Sequence, residues 1–168
     1  MIHEIINTLI KVRKKGYDVH LHITGCEGNP KYEREIKRLQ KENSSWIFLN
    51  KGLSRKEYCE ILARHKYGIH MRKEAFGIVI AEMVKAGCIP FVRSEGGQIE
   101  IIGKNKLIMF NDSKEAVKKI IEILSNEEKQ KKLFNFLNRR AKLFNKERFT
   151  KDVQKIVNEF FRMNKYKK

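Results

Sequence analysis

The stretch that decides the fold is residues 67–102, YGIHMRKEAFGIVIAEMVKAGCIPFVRSEGGQIEII. A short apolar strand runs into a loop that carries Glu74, and Gly77 then opens an amphipathic helix that carries Glu82 and stops at Gly87. A buried-type strand and a Glu-Gly-Gly turn follow. A strand that feeds a helix through a glycine is a phosphate-binding geometry, because the first-turn N–H groups lack intrahelical partners and the helix dipole favours an anion there.

Outward from this stretch, short apolar runs alternate with amphipathic segments of ten or so residues. The pattern predicts strands over 19–23, 46–49, 67–71, 88–92 and 106–110, and helices over 2–15, 30–42, 54–64 and 77–86. This alternation predicts an α/β fold, a Rossmann-like parallel sheet with helices on both faces. From about 112 to 163 the pattern is helical throughout, which indicates a helical C-terminal extension. We interpret residues 1–168 as a single domain.

The spacing of two carboxylates and two glycine motifs resembles a known family. Glu74 and Glu82 are eight positions apart, Phe76-Gly77 lies between them, and Gly96-Gly97 follows. This pattern resembles the nucleotide-sugar-binding half of the retaining GT-B glycosyltransferases of the large group-4 family. As an order of elements the resemblance extends over roughly residues 2–163. The resemblance implies one half of a GT-B fold and a hexosyltransferase-type enzyme that uses a nucleoside-diphosphate sugar.

The resemblance implies roles for both carboxylates. The residue matching Glu74 faces the donor sugar, which makes Glu74 the candidate catalytic residue, and the residue matching Glu82 accepts hydrogen bonds from the ribose hydroxyls. The residues themselves also allow a simpler interpretation. Glu74 would then be a surface acid paired with Arg72 or Lys73, and Glu82 a boundary carboxylate paired with Lys85 or another base.

The remaining candidate site residues act through their main chain. If the helix starts near Gly77, the backbone amides at its start point out at the strand's carboxyl end and are predicted to bind a diphosphate; they belong to Phe76, Gly77, Ile78 and Val79. Gly96 and Gly97 would shape the donor-sugar end of the cleft, and Gly25, at the end of the first strand, would form a wall of the nucleotide pocket. The alternatives are tight packing at Gly77 and plain turns at the other glycines.

The chain also departs from the family pattern. Ala75 stands where Gly is usual, Met71 replaces Ser, and Gln98 replaces Pro. The family's nucleotide-binding half starts with a strand and a loop whose Arg and Lys clamp the diphosphate, and this segment would lie before Met1. The N-terminal acceptor-binding domain is absent from the sequence. We therefore expect a separated C-terminal half that needs the missing domain for catalysis.

Composition limits the partners. The formal net charge is +17, and residues 129–168 hold 14 Lys and Arg against 3 Asp and Glu. This excess favours either an anionic membrane surface or a solvated, lysine-rich helical surface. Nucleic acid is disfavoured, because no recognition motif is present and the aromatics of this segment fall at helical core spacing. With neither a signal peptide nor a long apolar run, we expect a cytoplasmic protein, with peripheral contact at the cytoplasmic membrane face left open.

No metal or cofactor site is predicted. Cys26, Cys59 and Cys88 are scattered without a C-x-x-C pair, and His20 and His22 have no supporting ligand at suitable spacing. Neither a dinucleotide fingerprint nor a P-loop follows a strand. The resemblance to the glycosyltransferase family implies that the helix dipole and basic groups stabilise the leaving diphosphate without a metal ion. The alternative function is a stand-alone, non-catalytic Rossmann-like module that binds a nucleotide or a partner protein.

Overall fold

The computed structural model describes residues 2–25 and 29–165. Cys26, one of the cysteines considered above, lies outside these ranges, and Cys59 and Cys88 are free thiols. The strands are β1 Leu21–Thr24, β2 Ile47–Asn50, β3 Tyr67–His70, β4 Ile89–Arg93 and β5 Met109–Phe110. The helices are α1 Ile2–Arg13, α2 Pro30–Glu42, α3 Arg55–Arg64, α4 Ile78–Lys85, α5 Gln98–Ile101, α6 Ser113–Leu124, α7 Glu127–Ala141 and α8 Lys146–Lys165.

Every strand pairing in the described residues is parallel, which confirms the predicted α/β architecture. β1 pairs with β2, while β3, β4 and β5 pair in that order. The hydrogen bonds therefore divide the strands into two groups, where the sequence analysis expected one continuous sheet. Among the described residues, the edge of β1 away from β2 and the edge of β3 away from β4 have no strand partner.

The core is centred on β4, which has a neighbour on each side. Its first four residues are buried, and Phe91 in this strand and Phe110 in β5 are almost fully enclosed. Burying one aromatic side chain of this size contributes roughly 1.5–3 kcal/mol. Helix α4 lies over this strand with Ile80 and Val84 buried. This packing fixes the start of α4, where the candidate site lies.

The helix starts follow from local capping. Asn29 caps α2 ahead of Pro30, Ser54 and Glu57 form a capping box at the start of α3, and the Asp112 carboxylate accepts hydrogen bonds at the start of α6. Strand β5 is shorter than predicted. The Asn105 side chain accepts a hydrogen bond from the Leu107 amide, so a turn takes up the residues before Met109.

Helix α8 begins at Lys146 and lies on the surface. Its aromatic side chains Phe149, Phe160 and Phe161 are exposed. The expectation that helical spacing marks a core face is therefore wrong for these three residues, whereas Phe136 and Phe144 of the same basic segment pack against the core. None of the helices in the described ranges is long and apolar enough to cross a membrane.

Candidate functional site

The carboxyl ends of β1, β2 and β3 open into a cavity of about 1270 Å³. Ligands of open parallel α/β sheets bind in the crevice outside these strand ends. Four of the predicted site residues line this cavity: Gly25, Glu74, Val79 and Glu82. The structure thus brings both carboxylates to the same space.

The Glu74 carboxylate is partly exposed, with 35% of its side chain accessible. Its Oε1 atom lies 3.6 Å from His70 Nε2 and 3.9 Å from Arg72 Nε, both longer than a hydrogen bond. Burial lowers the pKa of His70, although the charge of Glu74 opposes this shift. His70 is therefore mainly neutral near pH 7, and Glu74 keeps acceptor capacity for a ligand.

The main chain of the Glu74 loop is held much more firmly than its carboxylate. The Gly97 amide donates to the Glu74 carbonyl (2.9 Å), and the Gln98 side chain accepts from the Glu74 amide (3.0 Å) and donates to the Arg72 carbonyl (2.9 Å). Gln98 is fully buried. Sequence reasoning missed this role, although a polar residue at the start of the apolar run QIEII was a usable signal.

Gly96 and Gly97 do more than form a plain turn. A Cβ at Gly96 would overlap the Glu74 carbonyl oxygen, and one at Gly97 would overlap the Ala75 carbonyl oxygen. Two backbone segments therefore pass each other at a distance that only glycine permits. Neither glycine lines the cavity. Their effect on the site is to fix the loop that carries Glu74.

Gly77 is the N-cap residue of α4, with φ 96° and ψ 54° in the left-handed region. A Cβ there would lie 3.2 Å from the Gln98 Cβ. Glycine is thus required by conformation and by packing, so the packing interpretation of Gly77 holds whether or not an anion binds. Among the residues that the structure describes, no side chain caps this helix start, and Phe76, Ile78 and Val79 are exposed around it.

Glu82 is held by two side chains of α3. Its Oε1 atom lies 2.7 Å from Arg55 Nη1, and the Tyr58 hydroxyl donates to Oε2 at 2.9 Å. The hydrogen bond and charge of Glu82 raise the pKa of Arg55, and burial together with Glu82 raises that of Tyr58. The base that pairs with Glu82 is Arg55 and not Lys85. Tyr58 was missed, since its sequence position shows nothing of this contact.

Two of the exposed apolar residues at the start of α4, Phe76 and Ile78, face a second groove. It has a volume of about 940 Å³ between α3, α4 and the start of α8, and Phe76, Ile78 and Glu82 line it. The Phe76 ring meets the Phe144 ring edge-on at 6.4 Å between centroids. Glu82 therefore lies between the groove and the larger cavity.

The histidines considered as metal ligands pack against rings. His22 stacks on Phe48 at 4.7 Å between centroids and lies 4.6 Å from the His65 ring. Burial and the two neighbouring histidines lower the pKa of His22. Within residues 2–25 and 29–165, no group of three or more His, Cys, Asp or Glu side chains could hold a metal ion.

The sequence was compared with models of known protein families. Residues 1–136 match the family described as glycosyl transferases group 1. The chain belongs to this glycosyltransferase family. No curated protein matches its sequence significantly.

Solved glycosyltransferase structures share the fold. The pneumococcal O-GlcNAc transferase GtfA in complex with UDP and GlcNAc matches 94% of this chain with a TM-score of 0.76 and 16% identity. WaaG, a glycosyltransferase of lipopolysaccharide biosynthesis, matches 86% (TM-score 0.68, 17% identity). Anabaena HepE in complex with UDP-glucose matches 84% (TM-score 0.67, 16% identity). This glycosyltransferase-family chain covers 33%, 40% and 39% of those three chains.

Proposed function

We propose that this chain is the donor-binding domain of a retaining glycosyltransferase, which transfers a sugar from a nucleoside-diphosphate sugar. The observation that supports it best is the convergence of Glu74, Glu82 and the uncapped start of α4 beside one cavity at the strand carboxyl ends. Nucleotides bind at such strand ends, with phosphates at a helix N-terminus.

In this proposal the start of α4 binds the diphosphate. The amides of residues 76–79 would donate to its oxygens, and the helix dipole would stabilise the negative charge that develops on the leaving group. Gly77, in its left-handed conformation, would set the turn from which these amides project. We propose that this charge stabilisation operates without a metal ion.

The two carboxylates would have separate roles. Glu82 already accepts hydrogen bonds from Arg55 and Tyr58, but a carboxylate has about four acceptor sites. Two sites would remain for the ribose hydroxyls, and the α3 contacts would hold the carboxylate in place. Glu74, whose carboxylate has no close partner of this kind, would orient the donor sugar.

We also propose that transfer needs an acceptor-binding domain. The chain covers at most 40% of the three structural neighbours, and retaining transfer needs the acceptor hydroxyl positioned against the anomeric carbon. Such positioning can supply about 7–11 kcal/mol of the barrier. In this proposal Glu74 and Glu82, which form the E-x7-E motif, bind the donor. The complete enzyme would work in the cytoplasm. The basic C-terminal surface would suit peripheral contact with an anionic membrane face.

Calorimetric titration tests donor binding. UDP is the first probe, because two structural neighbours contain UDP or UDP-glucose, and GDP and ADP follow. Glu82→Gln should weaken UDP binding by roughly 10- to 100-fold, the effect of losing a charge-assisted hydrogen bond. Glu74→Gln should leave UDP binding nearly unchanged and weaken UDP-sugar binding. Exposed Glu127→Gln is the matched control.

A separate experimental result would contradict each part of the proposal. Loss of binding in EDTA would count against a metal-free site, and equal UDP affinity for wild type and Glu82→Gln would reject the ribose assignment. If no nucleoside diphosphate binds, the non-catalytic partner-binding module becomes the better interpretation. Robust sugar transfer by the 168-residue chain alone would reject the need for a second domain.

A further inference from the structure

The carboxylate of Glu74 has two nitrogen groups nearby, and both lie beside the same oxygen atom. His70 Nε2 is 3.6 Å from Oε1, and Arg72 Nε is 3.9 Å from it. Among the described residues, none forms an ion pair or a hydrogen bond with Oε2. All three residues line the large cavity, so the carboxylate has one oxygen beside protein groups and one without a protein partner.

The two nitrogen groups differ in how firmly they are held. The His70 side chain is 20% exposed, whereas that of Arg72 is 65% exposed. An exposed arginine loses rotamer freedom when an ion pair fixes it, and such pairs contribute little. An imidazole turns about only two side-chain torsions, and burial already restricts those of His70. His70 is therefore the group that can hold the Glu74 carboxylate in one orientation.

The sheet and the following loop anchor His70 itself. It is the last residue of β3, and its register partner in β4 is Val92. Its Nδ1 atom lies 3.4 Å from the Arg72 amide nitrogen and 3.2 Å from the Arg72 carbonyl oxygen. The Gln98 side chain donates to the same carbonyl at 2.9 Å. The main chain therefore fixes one ring nitrogen and leaves the other, Nε2, for Glu74.

These contacts favour one tautomer of the neutral ring. With the proton on Nε2, Nδ1 accepts a hydrogen bond from the Arg72 amide, and the N–H group at Nε2 lies beside Oε1 of Glu74. With the proton on Nδ1, the Arg72 amide would lose this acceptor and a nitrogen lone pair would face the carboxylate. The partner of one ring nitrogen thus decides what the other nitrogen can do. The neutral His70 ring is a donor to Glu74.

We infer that His70 is a positioning residue for Glu74: its Nε2–H group binds Oε1 and thereby presents Oε2 to the donor sugar. This inference rests on the proposed role of Glu74 in sugar binding. The separation of 3.6 Å is longer than a hydrogen bond, but hydrogen bonds of catalytic groups are often long before the substrate binds and tighten in the complex. A sugar hydroxyl that donates to Oε2 would restrict the carboxylate, so that the contact with His70 closes.

Protonation of His70 should weaken this function. Among the described residues, the charged groups that act on its ring are Glu74 and Arg72, and the residue opposite in β4 is the apolar Val92. Burial lowers the pKa of His70, so the ring is neutral at pH 7.5 and gains a proton only below about pH 6.5. The imidazolium would attract the carboxylate more strongly and compete with the sugar hydroxyls. Sugar binding should therefore fall as pH drops through the lowered pKa.

Titration with UDP and UDP-glucose at pH 7.5 separates the sugar contact from the nucleotide contact. Glutamine places its amide N–H near the position of Nε2, whereas asparagine reaches only the position of Nδ1. His70→Asn should weaken UDP-glucose binding by roughly five- to tenfold, the effect of losing one hydrogen bond, and leave UDP binding unchanged. His70→Gln should keep the wild-type affinity. No loss in His70→Asn, or an equal loss in His70→Gln, would overturn the inference.

A double substitution tests whether His70 acts through Glu74. In a Glu74→Gln background, His70→Asn should cause no further loss of UDP-glucose binding, because the carboxylate that it positions is gone. Additive losses would overturn the inference. Arg72→Gln is the comparison, since Arg72 lies at a similar distance from the same oxygen, and it should cost less than twofold. A loss as large as that of His70→Asn would assign the role to Arg72 instead.

The pH profile is measured with UDP-glucose, whose diphosphate is esterified at both ends and does not titrate between pH 7.5 and 5.5. The affinity of the wild type should fall several-fold over this range. His70→Gln should abolish this fall, because an amide keeps the donor but takes up no proton. The same fall in both proteins would overturn the inference.

Nitrogen-15 NMR of the histidine rings tests the contact without a ligand. At pH 7.5 the His70 ring should carry its proton on Nε2, and its pKa should decrease when Glu74→Gln removes the neighbouring charge. A proton on Nδ1, or a pKa that Glu74→Gln leaves unchanged, would overturn the inference. If UDP-glucose binds the wild type no more tightly than UDP, the proposed sugar contact fails and the positioning role fails with it. The NMR result shows separately whether His70 contacts Glu74.

Discussion

The loop that carries Glu74 and the helix that carries Glu82 hold their carboxylates in opposite ways. The loop is held through its main chain by Gly97 and Gln98, and its carboxylate has only distant partners. Glu82 is held through its carboxylate by Arg55 and Tyr58. The first arrangement fixes the loop and leaves the carboxylate accessible to a ligand, whereas the second fixes the carboxylate itself through its hydrogen-bond partners.

The largest effect is expected where the loop backbone is closest to the turn. Gly97→Ala would place a Cβ against the Ala75 carbonyl and the Phe76 backbone, which cannot move without the loop. We expect a loss of about 3 kcal/mol, the upper range for overpacking. Thermal unfolding measures it, at roughly 2–4 °C per kcal/mol for a chain of this size.

Gly68→Ala is the matched control for this substitution. Gly97 has φ −67°, and neither glycine needs a left-handed conformation, so backbone strain is absent in both. The added Cβ at Gly68 would meet the Met83 Sδ at 2.5 Å, the end of a flexible side chain that can rotate away. Equal losses of stability in the two variants would show that close backbone packing does not hold the Glu74 loop.

The next effect concerns the buried amide that braces the same loop. Gln98→Met keeps the shape of the side chain but leaves the Glu74 amide and the Arg72 carbonyl without their partner. We expect a loss of about 2 kcal/mol, because buried polar groups without partners are costly. Chemical denaturation measures it, with exposed Gln154→Met as the control. A loss no larger than that of the control would mean that water replaces Gln98.

The fold was largely predictable because its signals are local. Asn29-Pro30, the Ser54 capping box and the glycine at position 77 each specify a helix start within a few residues. The division of the strands into two groups could not be predicted. It depends on which strand edges pair in three dimensions. The order in which strands and helices alternate along the chain does not determine that pairing.

The placement of Glu74 and Glu82 beside one cavity follows from the sequence pattern, because each lies on an element with a strong local signal. Their roles in a site stay a prediction, and their side-chain contacts could not be predicted. The partners of Gln98 and Tyr58 were not predicted, because they are 24 residues away along the chain. Long-range hydrogen bonds of this kind leave no periodic trace in a sequence.

A smaller effect is expected at the Glu82 side of the comparison. Tyr58→Phe removes the hydroxyl that donates to Glu82, while Arg55 remains in contact with the other carboxylate oxygen. We expect a loss of about 1 kcal/mol, typical of one partly exposed hydrogen bond. Tyr17→Phe is the control, measured by the same thermal unfolding. If Tyr58→Phe costs as much as Gln98→Met, the two carboxylates are held with similar strength and the contrast fails.

The smallest expected effect is a dependence of stability on pH. It should arise from His70, beside Glu74, and not from Arg55, beside Glu82. His70, near Glu74, has a pKa lowered by burial, whereas the guanidinium of Arg55, beside Glu82, stays charged. The unfolded chain binds a proton at His70 from about pH 6.5 downwards, where the folded chain resists it. Stability should therefore fall as pH drops from about 6.5 through the lowered pKa of His70.

Thermal unfolding between pH 7.5 and 5.5 tests this assignment, because the carboxylates titrate at lower pH. His70→Asn should flatten the pH dependence, and Arg55→Gln should leave its slope unchanged. The pKa of His22 is lowered as well, so His22→Asn measures that separate share. A slope that persists in His70→Asn and disappears in His22→Asn would place the pH response at β1, away from Glu74. The two carboxylates would then differ in their partners but not in their response to protons.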